Sequence, residues 1–117
     1  MKAIIELSRK GSIFAAVAAQ VQGSRRGQAP DYRLSFESAR SLFAELTPAR
    51  LDLLDTLRRA GACSVYALAK TAERNYSNVH TDVARLEELG LIERSQDGAI
   101  SVPFDAVEIR FPLAQVA

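Results

Sequence analysis

The sequence contains no tryptophan and only one cysteine, one histidine and one methionine among its 117 residues. One cysteine excludes an intrachain disulfide, and one cysteine with one histidine cannot assemble a structural zinc site. We therefore expect a reducing cytoplasmic environment, no metal and no cofactor. A Ser-His-Asp triad would have to use His80, and neither a Gly-rich phosphate loop nor a paired-carboxylate motif occurs. These absences predict a protein that is not an enzyme.

No sign of charge dominates, because 15 basic side chains stand against 14 acidic ones, a formal net charge of +1. This balance excludes histone-like and ribosomal-type proteins, which coat nucleic acid through a large excess of basic residues. The charge is unevenly distributed, since residues 1–33 carry a net +4 and residues 47–117 a net −2. Any contact with nucleic acid is therefore expected to be confined to a small surface.

Long apolar runs are also missing. A membrane-spanning helix needs about 20 consecutive apolar residues, whereas the richest stretch near the N-terminus, residues 13–19, is short, mostly alanine and preceded by charged residues. A secretory signal has basic residues followed by a continuous apolar block. The pattern favours a cytoplasmic protein without a membrane span. With 48% hydrophobic residues, the chain has enough apolar mass for one ordinary domain.

The first part of the chain, residues 1–46, alternates between strand and helix patterns. Its predicted elements are a strand over 1–7, a helix from Ser12 to about Gly23, a strand over 32–36 and a helix over 38–46. The Ala-rich helix buries little within so short a segment. We therefore expect residues 1–46 to be a dimerisation segment, and the alternative that they extend the core of a monomer stays open.

Residues 47–104 predict three helices followed by a β-hairpin. Thr47 and Pro48 suit a helix start, Ser64 suits the next, and Gly61 and Gly90 suit helix ends. The predicted elements are helices 47–61, 65–71 and 76–89, strands 91–94 and 99–102 with an Asp-Gly turn between them, and a last strand in the tail 105–117.

The order helix, helix, tight turn, longer helix and hairpin is that of a winged helix-turn-helix, whose third helix enters the DNA major groove while the hairpin forms the wing. The predicted fold class is α+β. It consists of a winged helix-turn-helix domain over residues 47–104, an N-terminal strand-helix extension over residues 1–46, and a C-terminal strand and tail over residues 105–117.

The helix over residues 76–89 combines an apolar side with a polar side that is unusual for a merely solvated surface. Solvated faces usually carry Glu and Lys, whereas Glu87 and Glu88 occur only at the far end. Asn reads adenine and Arg reads guanine bidentately, and Ser, Thr and His suit phosphates or single bases. The predicted inward residues are Tyr76, Val79, Val83 and Leu86, and the predicted DNA contacts are Ser77, Asn78, His80, Thr81 and Arg85.

Residues around this helix are further candidates. Lys70 and Arg74 are predicted phosphate contacts, with a solvated surface charge as the equal alternative, and Arg94 is a candidate contact from the wing. Asp82 is unfavourable near phosphates and is expected to face the turn or a neighbouring basic group. Cys63 is expected to be a buried, unreactive thiol packed between the first two helices of the domain.

Several tracts of the chain resemble prokaryotic winged-helix transcriptional regulators. The tract LEELGLI is shared widely with regulators of the MarR and ArsR type, although the cysteine pair of an ArsR-type metal site is missing. The tract containing Asn78-Val79-His80 is narrower and is similar to a small family of winged-helix DNA-binding proteins. The resemblance covers about residues 32–113 and rests on tracts 35–38, 46–54, 75–83, 86–93, 97–98 and 102–105.

Members of that small family are often encoded beside a small toxin, so the resemblance implies an antitoxin or autoregulatory role. Its recognition-helix contacts would fall on the positions predicted above. We therefore expect a dimeric, sequence-specific, double-stranded-DNA-binding repressor that reads the major groove with residues 76–89. Two alternatives stay open: an antitoxin-type module that neutralises a toxin protein and autoregulates its operon, and a winged helix used only for protein contacts.

Overall fold

The computed structural model describes residues 1–7 and 30–114, which contain four helices and five strands in an α+β arrangement. The predicted helix from Ser12 to Gly23 lies outside the described residues. The chain divides into two compact units, one comprising Met1–Glu45 with Phe104–Ala117 and the other Leu46–Pro103. Among the described residues, no helix is long and apolar enough to cross a membrane.

The first unit contains a three-stranded parallel sheet. Strand β1 (Lys2–Leu7) lies in the centre, between β2 (Tyr32–Phe36) and the last strand of the chain, β5 (Ala106–Arg110). Its Ala3, Ile4 and Ile5 are buried on both faces, as is typical of the central strand of a parallel sheet. The predicted strands at both ends of the chain are thus confirmed. Their parallel pairing was not predicted.

Helix α1 (Ala39–Glu45) follows β2 and contacts it. Ser38 precedes the helix, and its hydroxyl accepts a hydrogen bond from the Ser41 backbone N–H at 3.1 Å, which stabilises the first turn. Leu42 is buried. The Tyr32 ring stacks on Phe104 with centroids 5.6 Å apart, and burial raises the pKa of the tyrosine.

The last strand is shorter than its sequence pattern predicts. The alternation of Val107, Ile109 and Phe111 predicts a strand up to residue 111, but β5 ends at Arg110 and Phe111 is exposed. Pro112 follows directly and has no backbone N–H with which to continue a ladder, so the alternating pattern runs past the end of the strand.

The second unit begins with helices α2 (Pro48–Ala60), α3 (Val65–Ala72) and α4 (Tyr76–Glu88). Helices α2 and α3 have the N-terminal caps that the sequence predicts. The Thr47 and Ser64 hydroxyls accept backbone hydrogen bonds at 3.2 and 3.1 Å, and Gly61 ends α2 with φ of 82°, where a side chain would be strained. The helices enclose a buried apolar core formed by Leu53, Leu54, Leu57, Val65, Leu68, Val79, Val83 and Leu86.

The unit ends in a hairpin of β3 (Glu93–Arg94) and β4 (Ile100–Ser101), both shorter than predicted. The turn between them places Gly98 at φ of 89°. Cys63, in the loop before α3, forms two backbone hydrogen bonds with Ile100, at 3.1 and 2.8 Å. Its side chain is half-buried rather than buried between helices, because the residue is drawn to the hairpin. Burial raises the pKa of this thiol, as expected for an unreactive cysteine.

Candidate nucleic-acid interface

Helix α4 presents a polar face at its N-terminal end. The Asn75 side-chain oxygen accepts hydrogen bonds from the backbone N–H groups of Ser77 and Asn78, at 2.9 and 3.3 Å. This cap fixes the first turn. Four of the five predicted contact residues are exposed there: Ser77, Asn78, His80 and Thr81.

The four exposed side chains differ in how far their hydrogen-bonding groups are already used. The Ser77 hydroxyl donates to Asn75 Oδ1 at 2.7 Å, and the Thr81 hydroxyl donates to the Ser77 carbonyl at 3.0 Å. In the part of the chain that the structure describes, the Asn78 amide has no hydrogen-bond partner. Asn78 can therefore offer both a donor and an acceptor to a ligand.

Tyr76 is exposed, and the expectation that it turns inward is wrong. Its residue is 49% exposed, and its ring lies 6.4 Å from that of Tyr66 and 5.9 Å from that of His80. Spacing along the helix identifies the side that carries the core but not how far the core extends. At this end α3 contributes Tyr66, which is 61% exposed.

The two tyrosines connect α3 and α4 on one surface. Lys70 follows Tyr66 by one helical turn, and its Nζ lies 5.6 Å from the centre of the Tyr66 ring, within cation–π range. We call the four residues Tyr66, Lys70, Tyr76 and His80 the aromatic ridge. The sequence reasoning missed Tyr66, although Tyr66 and Lys70 are four residues apart and lie outside the buried positions of α3.

Asp82 is the acidic residue nearest the polar face of α4, and it is turned away from solvent. Arg50 Nε on α2 lies 3.0 Å from Asp82 Oδ1, and Arg74 Nη2 in the turn before α4 lies 2.8 Å from Oδ2. The Asp82 side chain is only 15% exposed. Burial raises its pKa, but the two arginine hydrogen bonds and charges outweigh this effect and hold the pKa below the ordinary value.

This cluster meets the expectation that Asp82 faces a neighbouring basic group. It also gives Arg74, a predicted phosphate contact, a partner inside the protein. Arg74 Nη1 is buried, and no hydrogen-bond acceptor contacts it among the described residues. The three side chains join α2, the turn and α4, so they position the start of α4.

The remaining predicted contacts lie at the other end of α4 and on the hairpin. Arg85 Nη1 lies 2.9 Å from Glu88 Oε2, and Arg94 pairs with Glu87 at 3.1 Å while donating to the Gly98 carbonyl at 3.3 Å. Both arginines therefore have acidic neighbours, and a phosphate or base would have to compete with them. The structure thus connects Lys70 and His80 through the Tyr66 and Tyr76 rings, exposes Ser77, Asn78 and Thr81 on α4, and pairs Arg94 with groups near the hairpin.

This surface contains hydrogen-bonding, aromatic and cationic groups without an acidic residue in the first turn of α4. Within the described residues, no group of three or more His, Cys, Asp and Glu side chains is arranged to hold a metal ion.

A family model known as HVO_A0114 matches residues 45–109. The chain belongs to the HVO_A0114 family. The matched residues include the whole of the Leu46–Pro103 unit and most of β5, so the HVO_A0114 region contains both α4 and the aromatic ridge. None of the curated proteins matches the chain, and none of the solved structures matches it.

Proposed function

We propose that this HVO_A0114 protein is a sequence-specific, double-stranded-DNA-binding transcriptional regulator, a repressor without catalytic activity, whose Leu46–Pro103 unit is a winged helix. The order α2, α3, α4, β3, β4 supports this proposal, as does the turn Glu73–Asn75 that separates α3 from α4. In such a unit α4 is the helix that enters the major groove, and the β3–β4 hairpin is the wing.

The charge arrangement on α4 is the observation that carries the proposal. A carboxylate on a groove-reading helix would repel phosphate, and Asp82 is turned inward and neutralised by Arg50 and Arg74. The outward side at the same level carries neutral hydrogen-bonding residues. A helix face that only meets solvent does not require its carboxylate to be turned inward and its outward side to be neutral.

Individual roles follow from the geometry. Asn78 has an available amide near the N-terminal end of α4 and is the residue best placed to read adenine. Lys70 Nζ and the Tyr66 ring lie together on the aromatic ridge, and the lysine ammonium and the tyrosine hydroxyl suit phosphate oxygens. Arg85 can bind guanine only if its guanidinium group first leaves Glu88. Its contribution to DNA affinity is therefore expected to be smaller than that of Asn78.

The test is selection of preferred sequences from a random double-stranded DNA library by the full chain. We expect a consensus sequence, and we expect Asn78→Ala to weaken binding to it about tenfold or more and to relax the preference at one base pair. Asp55→Asn, which changes an exposed side chain on α2 outside the elements proposed to contact DNA, is the control and is expected to leave that preference intact. Failure to enrich any sequence would show that the proposal is wrong.

A second candidate, a winged helix used for protein contacts such as toxin neutralisation, draws on the exposed Tyr66 and Tyr76 rings. Exposed tyrosines are enriched in protein interfaces. Under this alternative Tyr76→Ala abolishes binding to the partner, while the selected DNA shows no consensus. Co-purification from the native host, followed by the same variant, separates the two functions.

A further inference from the structure

The outer edge of β5 is an unpaired strand edge within the described part of the sheet. The strand order is β2, β1, β5, so one edge of β5 pairs with β1 and the other has no strand against it among the described residues. Unpaired edges present backbone N–H and C=O groups to which another strand can bind. Ile109 on this strand is 37% exposed and Phe111 just beyond it is 52% exposed.

The two faces of β5 differ in character. Val107 and Ile109 alternate along β5 and therefore point to one face. Glu108 and Arg110 occupy the opposite face, where Glu108 Oε2 lies 3.2 Å from Arg110 Nη2 and Glu108 Oε1 lies 3.0 Å from Lys2 Nζ. The segment thus carries one acid and one base, two residues apart, on either side of Ile109.

We propose that β5 pairs antiparallel with β5 of a second copy of this chain, around a two-fold axis at Ile109. In such a pair Glu108 of each copy lies directly opposite Arg110 of the other. Directly opposed side chains of unlike charge stabilise an antiparallel pair. The two three-stranded sheets then join into one sheet of six strands.

The charges select this register over its neighbours. A symmetric antiparallel pair has its axis between two copies of the same residue. An axis at Glu108 would oppose two carboxylates, and an axis at Arg110 would oppose two guanidinium groups. The axis at Ile109 opposes two apolar side chains and forms two ion pairs.

The other edge of the sheet lacks this self-complementarity. An axis at Leu34, the middle of β2, would place Arg33 opposite Ser35, and β2 contains no acidic residue. The self-complementary edge therefore lies on the C-terminal strand, while dimerisation through residues 1–46 stays a prediction.

A charge-reversal pair of variants tests the register. In a homodimer of Glu108→Arg, arginine faces arginine in both cross-strand pairs. In a homodimer of Arg110→Glu, glutamate faces glutamate in both. Each variant is therefore expected to self-associate about tenfold more weakly than the natural chain in sedimentation equilibrium. A mixture of the two restores both ion pairs, and we expect it to form heterodimers as tight as the natural homodimer.

Cross-linking provides a second measurement that needs no charge change. In a Cys63→Ala background, Ile109→Cys places two thiols opposite each other with Cβ atoms about 5 Å apart, close to disulfide geometry. Ala106→Cys is the matched control on the same exposed strand, because its two copies would be separated by about 20 Å. We expect rapid oxidation to a disulfide dimer only for Ile109→Cys.

Three results would overturn the proposal: a natural chain that is monomeric at all concentrations, equal cross-linking at both positions, or a variant mixture that associates no more tightly than its components. Circular dichroism establishes that each variant is folded. If either charge variant does not fold, the cross-linking pair decides. The inference does not depend on the proposed DNA binding, since self-association is measured without DNA.

Discussion

Asp82 shows at the scale of one residue how a charge can be placed on a helix without appearing on its surface. Replacing it by Asn removes the negative charge that Arg50 and Arg74 both contact. We expect Asp82→Asn to lower the free energy of unfolding by about 2 kcal/mol, because each half-buried guanidinium group loses its ion pair with this carboxylate. Urea denaturation monitored by circular dichroism measures this change.

Asp55→Asn is the matched control for that experiment. Asp55 pairs with Arg59 one turn along α2 at 3.1 Å, but both side chains are exposed. Exposed pairs contribute little, so a loss below about 0.5 kcal/mol is expected. Equal losses in the two variants would mean that the Arg50–Asp82–Arg74 cluster does not position α4.

The same cluster predicts a dependence on pH. The folded-state pKa of Asp82 lies below its ordinary value, so the unfolded chain takes up the proton first as the solution is acidified. The stabilisation by Asp82 is therefore fully present above about pH 4 and is lost as the pH falls further, through the folded-state pKa. The difference in stability between the natural chain and Asp82→Asn should shrink in denaturation experiments below pH 4. A constant difference down to pH 2 would contradict this assignment.

At the scale of the element, the stability of α4 depends on Asn75, the residue directly before the helix. Asn75 accepts hydrogen bonds from two backbone N–H groups and one hydroxyl. We expect Asn75→Ala to lower the free energy of unfolding by about 1 kcal/mol, the usual cost of losing an N-cap. Thermal unfolding measures the effect.

Asn75→Asp separates the cap from the proposed interface. Aspartate caps a helix as well as asparagine does, and its charge suits the helix dipole, so stability should be retained. The same charge would lie beside the surface proposed to face phosphates and should weaken DNA binding. Unchanged DNA affinity in a stable Asn75→Asp variant would place the DNA elsewhere on the molecule.

The helices of the second unit could be predicted because their signals are local. Thr47 and Ser64, the two predicted caps, each accept a hydrogen bond from a backbone N–H three residues away, so sequence and structure agree on where these helices begin. The parallel pairing of β1 with β5 joins residues about a hundred positions apart and has no local signal. The exposure of Tyr76 depends on where the core ends, and the spacing of apolar residues does not contain that information.

In the candidate site, too, the features with local signals could be predicted and those that depend on distant residues could not. The polar face of α4 could be predicted from the helical repeat, and four of its five predicted residues are exposed. The ion pair between Arg50 and Asp82 spans 32 residues, so the sequence indicated only that Asp82 would meet some basic group. Tyr66 was missed because its neighbour across the surface, Tyr76, was assigned to the core.

The whole molecule is nearly neutral, and this property sets the expected salt dependence of DNA binding. A net charge of +1 cannot supply tight non-specific binding, so affinity must come from a few focused contacts. If each copy in a dimer neutralises two or three phosphates, the slope of log affinity against log salt is about −4 to −5. Affinity for the selected consensus should then fall several-hundred-fold between about 50 and 200 mM salt.

Two variants distinguish the electrostatic part of that affinity from the sequence-reading part. Lys70→Ala removes a cation from the aromatic ridge and should make the slope shallower by about one per copy, on every DNA sequence. Asn78→Ala removes no charge, so it should lower affinity for the consensus while leaving the slope unchanged. Fluorescence anisotropy titrations at four salt concentrations measure both quantities. A slope that Lys70→Ala leaves unaltered would show that the aromatic ridge does not contact phosphate.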